Sequence, residues 1–130
     1  MLNPIRILIV EDTRIAQLVV KAYMTHLGCT VDIAEDGKSA IENTTQTRYD
    51  LILMDIGLGD GPNGFEVTQY IKTHNALNKD TPIIALTSHG DSDIRQKAAD
   101  AGMILFLRKP FTTAYAQQVM DYLKSHSLAK

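Results

Sequence analysis

Asp55 closes a run of four apolar residues, Leu51-Ile52-Leu53-Met54, which sets a carboxylate at the exit of a buried strand. A buried acid is expensive without a polar partner or a metal, so further chemistry is expected nearby. Three other apolar runs also end in polar residues. Ile5 to Val10 ends in Glu11-Asp12, Pro82 to Leu86 in Thr87-Ser88, and Met103 to Leu107 in Arg108-Lys109. If the first and third runs are neighbours, Glu11, Asp12 and Asp55 converge. Like charges repel unless a cation joins them, and hard oxygen ligands suit magnesium (Mg2+). A hydroxyl and an ammonium beside a metal-bound carboxylate then suit a phosphoryl group, whose spread negative charge needs stabilising.

The elements that must position these residues follow from pattern. Ile5–Val10 is continuously hydrophobic, as burial on both faces of a central strand requires. Arg14 to Leu27 carries Ile15, Leu18, Val19, Ala22 and Tyr23 at helical spacing, and Gly28 stops it. A shorter strand follows over 29–34, with Glu35-Asp36 starting a short helix over 38–45 whose apolar side holds Ala40 and Ile41. Strand three is 51–54. Phe65, Val67 and Ile71 mark a third helix ending near His74-Asn75, and strand four is 82–86. Asp91 is placed to cap a fourth helix running to Ala101, with Gly102 as its stop. Strand five is 103–107, and a last helix from Thr112 or Thr113 shows Tyr115, Val119, Tyr122 and Leu123 on one side. Strands alternating with helices predict an α/β domain with a parallel sheet covered on both faces. Ligands collect at the carboxyl ends of such strands.

Composition sets bounds on this picture. The 130 residues fit one domain, 1–130, with a core over about 5–124 and a tail, 125–130, expected to fray. Hydrophobic residues make up 45%, enough for a core without staples. Net charge is −2 with no basic stripe, which argues against direct nucleic-acid binding. The single cysteine, Cys29, cannot form an internal disulfide. No apolar run is long enough to span a bilayer, and no leader pattern opens the chain, so a cytoplasmic domain without membrane contact is expected.

Glu11-Asp12, Asp55 after its apolar run, Thr87, and Lys109-Pro110-Phe111 together resemble the motif set of the two-component response-regulator receiver domain. The resemblance covers essentially the whole chain. It implies a flavodoxin-like, doubly wound, five-stranded sheet of order 2-1-3-4-5. It also implies that Asp55 accepts a phosphoryl group from a phosphohistidine donor, a histidine kinase or histidine phosphotransfer domain, with Mg2+ as cofactor. Carried over residue by residue, Asp12 binds the metal directly, Glu11 directly or through water, and Gly57 through its backbone carbonyl. Thr87 and Lys109 would hold phosphoryl oxygens, and Phe106 matches a switch aromatic, here without the hydroxyl of tyrosine. Arg14, Ile15 and Leu18 would dock the partner. His89, two residues past Thr87, matches a position that influences hydrolysis of the aspartyl phosphate, and Pro110 matches one preceded by a cis bond. Such a chain is a signalling switch rather than a multiple-turnover enzyme. It would be stand-alone or cut from a larger protein such as a hybrid histidine kinase or a transcription factor.

One segment departs from that pattern. Receivers commonly hold a proline four residues after the aspartate, whereas here Gly59 stands there and the segment from Gly57 to Gly64 is one residue longer. Extra glycines predict a looser loop, or one held by a turn such as Asn63-Gly64. The same loop matches a G-x-G-x-x-G dinucleotide pattern. That reading fails because the pattern begins four residues past the strand and Asp55 and Asp60 would repel a pyrophosphate. A P-loop fails because Phe65-Glu66 stand where Lys-Ser/Thr is required. A haloacid-dehalogenase-type phosphatase needs a second aspartate where Gly57 stands, leaving no proton carrier. The remaining alternative is a receiver-like interaction module that is never phosphorylated; intact Glu11, Asp12, Asp55, Thr87 and Lys109 argue against it.

Overall fold

The computed structural model describes residues 4–59, 61–88, 90 and 92–126. The cap expected of Asp91, the role of His89, the charge of Asp60 in the loop, and the end of the tail, 127–130, lie outside the described residues. Five strands and five helices alternate: β1 (Arg6–Val10), α1 (Arg14–His26), β2 (Thr30–Ala34), α2 (Gly37–Gln46), β3 (Leu51–Asp55), α3 (Gly64–His74), β4 (Ile83–Thr87), α4 (Ser92–Ala101), β5 (Leu105–Arg108) and α5 (Thr113–His126). All neighbouring strands pair in parallel, in the order β2-β1-β3-β4-β5. The expected order is therefore observed, and β1 and β3 are neighbours.

Every residue of β3 and β4 is buried, as are Ile7 to Val10 of β1. Alternate side chains feed two cores. Ile7, Ile9, Leu51, Leu53, Ile84 and Leu86 pack against α1 and α5, while Leu8, Val10, Ile52, Met54, Ile83 and Ala85 pack toward α2, α3 and α4. Burial on both faces is why these strands read as unbroken apolar runs. β3 is one residue longer than expected, because Asp55 keeps its place in the ladder opposite Leu86. β5 starts later, since the Met103 N–H still closes the end of α4 on the Ala98 carbonyl. Gly28 and Gly102 follow their helices with φ of 93° and 105°, the left-handed stop that only glycine adopts freely.

The buried stripe of α1 is Gln17, Val20 and Met24, while Ile15, Leu18 and Val19 face outward, as a docking role for Ile15 and Leu18 requires. Helix α1 carries two apolar stripes, and the sheet takes the one that meets Ile9 and Leu53, which leaves a hydrophobic strip on the surface. The loop before α3 is held by a helix cap and not by an Asn63-Gly64 turn. The Asn63 side chain accepts the Glu66 N–H at 2.9 Å and Glu66 accepts the Asn63 N–H at 3.0 Å, a reciprocal capping box. Gly64 allows the close approach this needs, because a β-carbon there would stand 2.5 Å from the Asp55 carbonyl oxygen. Leu58 is buried, and Pro62 rests against Gly37 at the start of α2, so the glycine-rich segment is seated at several points.

At the opposite end of the sheet lies a polar network absent from the expectations. Fully buried Asn78 donates to the carbonyls of Thr44 (2.6 Å) and Thr47 (2.8 Å) and accepts from the Tyr49 N–H (2.9 Å) and the Thr81 hydroxyl (2.9 Å). Asn75 extends it to the Thr44 hydroxyl. The network ties the end of α2 to the start of β3 and so fixes the strand whose other end carries Asp55.

Candidate phosphoacceptor and metal site

The carboxyl ends of β1, β3, β4 and β5 bring together Glu11, Asp55, Thr87 and Lys109, with Asp12 beside them. One carboxylate oxygen from each of Glu11, Asp12 and Asp55 lies within 4.8 Å of the others. Glu11 is 0% exposed and Asp55 3%, whereas Asp12 faces solvent. Asp12 is not the helix cap that a strand-end acid often is: Thr13 takes that position, and its N–H donates to Glu11 Oε2 at 2.9 Å. Gln17, overlooked in the sequence, donates to the Glu11 carbonyl oxygen at 2.7 Å and pins the β1–α1 turn. No periodicity marks it, since a buried glutamine within an apolar stripe has no distinctive spacing.

Lys109 supplies the countercharge. Its Nζ lies 2.5 Å from Glu11 Oε1 and 3.1 Å from Asp55 Oδ2. Burial pulls the ammonium pKa down, but the hydrogen bond to Glu11 and the nearby Asp55 charge together outweigh it, so Lys109 stays charged with a pKa above the ordinary lysine value. For Glu11 the balance runs the other way. Burial raises its carboxyl pKa, and Lys109 and the Thr13 N–H offset that only in part. The other Asp55 oxygen, Oδ1, accepts the Gly57 N–H at 3.0 Å. Both Asp55 oxygens are thus oriented before any ligand arrives.

Two observations bear on a metal. Buried Glu11 Oε1 meets the Lys109 ammonium and no other donor among the described residues, so its second lone pair is left for a cation. The formal charges of Glu11, Asp12, Asp55 and Lys109 sum to −2, which a divalent ion balances, and all the donors are hard oxygens. The residues fit Mg2+.

Thr87 is buried at the end of β4, one step beyond the Asp55–Leu86 pair, and its carbonyl accepts the Lys109 N–H at 2.8 Å. The Lys109–Pro110 bond is cis, as the resemblance implies. Phe106 is half-buried opposite Ala85, with the Arg95 guanidinium 4.9 Å above its ring. Beside the acids, Ile15 (75% exposed) and Val19 line a largely apolar cavity of about 540 Å³ that reaches Glu11, Lys109 and Phe111. Leu18, 48% exposed, lies on the same helix, and Arg14 begins it.

Residues 7–121 match the family model described as the response regulator receiver domain. The sensor protein EvgS of Escherichia coli (strain K12) is 34% identical over 92% of this chain and 9% of its own length. Probable histidine kinase 2 of Oryza sativa subsp. indica is 34% identical over 84% of this chain and 12% of its own length. The chain thus spans about a tenth of the length of these curated relatives. Among solved structures, the receiver domain of sensor histidine kinase PA1611 from Pseudomonas aeruginosa superposes with a TM-score of 0.83 at 34% identity. The match covers 92% of this chain and 97% of that one, and that structure holds a magnesium ion in its active-site cleft. The Vibrio cholerae chemotaxis protein CheY4 shares the fold, with a TM-score of 0.86 at 24% identity over 92% of this chain and 98% of that one.

Proposed function

The chain belongs to the response-regulator receiver domain family of two-component and phosphorelay systems, and from that membership we propose that it is a phosphoacceptor switch whose acceptor is Asp55. The observation that carries this is the Asp55 carboxylate itself, held between the Gly57 N–H and Lys109 beside two further acids. An Asp55 carboxylate oxygen attacks the phosphorus of a phosphohistidine. The P–O bond to Asp55 forms as the P–N bond breaks, and the imidazole nitrogen leaves with the electron pair and takes up a proton. Lys109 passes from the carboxylate to a phosphoryl oxygen, and the Thr87 hydroxyl donates to another. Mg2+, held by Glu11, Asp12, Asp55 and the Gly57 carbonyl, would neutralise charge on the acids and the transferring group. The acceleration is one of positioning, and the product stays attached, so the protein acts once per phosphoryl group rather than as a turnover enzyme.

Donors are histidine kinases or histidine phosphotransfer domains docking on the exposed strip of Arg14, Ile15 and Leu18, where Ile15 lines the apolar cavity that reaches Glu11. Phe106 reports the state of the site through its burial. The reading takes the chain as one receiver domain acting in the cytoplasm; among the described residues no helix is long and apolar enough to cross a membrane. Incubation with a small phosphodonor and Mg2+, followed by intact mass, tests the reading. A gain of one phosphoryl group that Asp55→Asn abolishes is expected. No gain from small or protein donors would show an interaction module that is never phosphorylated.

A further inference from the structure

Gly37 and Gly64 open α2 and α3, and neither has the positive φ that would demand glycine. Both are buried, and both are glycine for want of room. A β-carbon at Gly37 would stand 2.6 Å from the Pro62 carbonyl oxygen, 2.8 Å from Val67 Cγ2 and 3.2 Å from Pro62 Cβ. One at Gly64 would meet the Asp55 carbonyl oxygen at 2.5 Å and Ile56 Cα at 2.8 Å. Residues 62–64 are thus wedged between the start of α2 and the Asp55–Ile56 peptide. The α2 side of the wedge is firm. Asp36 caps the helix through the Ser39 N–H at 2.7 Å, Ala40 is fully buried, and the Asn78 amide holds the Thr44 carbonyl near its far end. On the other side the Gly64 N–H donates to the Ile56 carbonyl at 3.3 Å, and the Ile56 N–H to the Leu86 carbonyl at 3.0 Å. That stretch carries the acceptor carboxylate and leads into the Gly57 N–H that orients it.

We propose that Gly37 is a positioning residue for phosphoryl transfer: by admitting the Pro62 backbone against α2 it sets, through residues 62–64, where Asp55 and the Gly57 N–H stand. The inference rests on the phosphoacceptor reading above and adds to it a residue outside the site. A methyl group at 37 forces the Pro62 carbonyl to retreat by roughly 0.8 Å to reach ordinary contact. The fixed φ of proline and the Asn63–Glu66 capping box keep the segment from absorbing that move locally. It passes to Gly64, which has no room to give against the Asp55 carbonyl. A misplacement of about 1 Å that starts far from the chemistry can cost about a hundredfold in rate, so a push that is partly absorbed costs about tenfold.

The test follows the rate of phosphorylation by a small phosphodonor with Mg2+ through intact mass, together with the metal-free backbone amide shifts of Ile56 and Gly57. Gly37→Ala should slow phosphorylation about tenfold and displace both amides, while Thr44→Ala, which loosens the far end of α2, leaves the rate within about twofold of the parent's. In a Pro62→Gly background, where the segment yields locally, Gly37→Ala should cost less than about twofold. Should Gly37→Ala not fold, Gly37→Ala/Val67→Ala, which keeps only the Pro62 contact, carries the same expectation. A Gly37→Ala rate within about twofold of the parent's, an equal loss with and without Pro62→Gly, or an equal loss in Thr44→Ala overturns the role of Gly37 and keeps the acceptor. A parent chain that gains no phosphoryl group overturns both.

Discussion

Replacing Lys109 by methionine tests the charge balance of the site most directly. The ammonium is the positive charge in contact with Glu11 and Asp55, both nearly inaccessible to solvent. Removing it leaves two buried acids facing each other with Asp12 close by, and the formal charge of the cluster goes from −2 to −3. Breaking a buried pair costs about 3–5 kcal/mol. Here the lysine side chain is 23% exposed and Glu11, whose pKa burial already raises, can take up a proton, so the loss should be about 2–3 kcal/mol. For a chain of this length each kcal/mol is worth about 4 °C, giving a metal-free melting temperature roughly 8–12 °C below the parent. The same change strengthens cation binding, since the ion now meets three uncompensated acids. At one fixed Mg2+ concentration well above both dissociation constants, a site bound about tenfold tighter gains about 1.4 kcal/mol more than the parent's, so the metal should restore about half of the deficit. Thermal unfolding of both chains, in chelator and at the same Mg2+ concentration, gives the answer. Equal melting temperatures in chelator, or an equal rise on adding Mg2+, would refute the argument that Lys109 and the cation balance the same charges.

Three further outcomes follow from the structure. Asn78→Ala orphans the Thr44 and Thr47 carbonyls and the Tyr49 N–H inside the fold and should cost about 3–4 kcal/mol in denaturant unfolding, whereas a loss below about 1 kcal/mol would mean that water replaces the amide. Burial, and the hydrogen bond it donates to Asp32 at 2.8 Å, push the Tyr49 phenol above the ordinary tyrosine value. Its folded state holds the proton longer than its unfolded state, so its contribution is whole below about pH 10 and is lost as pH rises. Between about pH 10 and 11 the parent should lose about 1 kcal/mol more than Tyr49→Phe, and parallel stability curves would contradict this. Ile15→Asp, on the exposed face of α1, should slow phosphotransfer from a protein donor about tenfold or more while leaving a small phosphodonor unaffected; equal rates with the protein donor would remove this surface from the docking interface.

Much of the fold and the site was legible in the chain itself, for identifiable reasons. Strands buried on both faces must be apolar throughout, so β1, β3 and β4 appear as runs, and a polar residue ending each run can only sit at the sheet's edge. That is why Glu11, Asp55, Thr87 and Lys109 could be named from order alone. Asp36 capping α2 through the Ser39 N–H, and the glycine stops after α1 and α4, follow from equally local chemistry. Long-range contacts decided the rest. Which apolar stripe of α1 turns inward depends on the sheet it meets, and the choice of Val20 and Met24 exposed Ile15, Leu18 and Val19. The Asn78 network joins residues about 30 positions apart, a closure no window of sequence displays. The glycine-rich segment behind Asp55 reads as loose by composition, yet Leu58, the Asn63 cap and the Gly64 backbone contact hold it in place. Residue types and order determined which groups could do the chemistry. Tertiary packing alone decided which oxygens are buried, which are oriented, and which stay open to a cation, because those are properties of the neighbours each side chain meets.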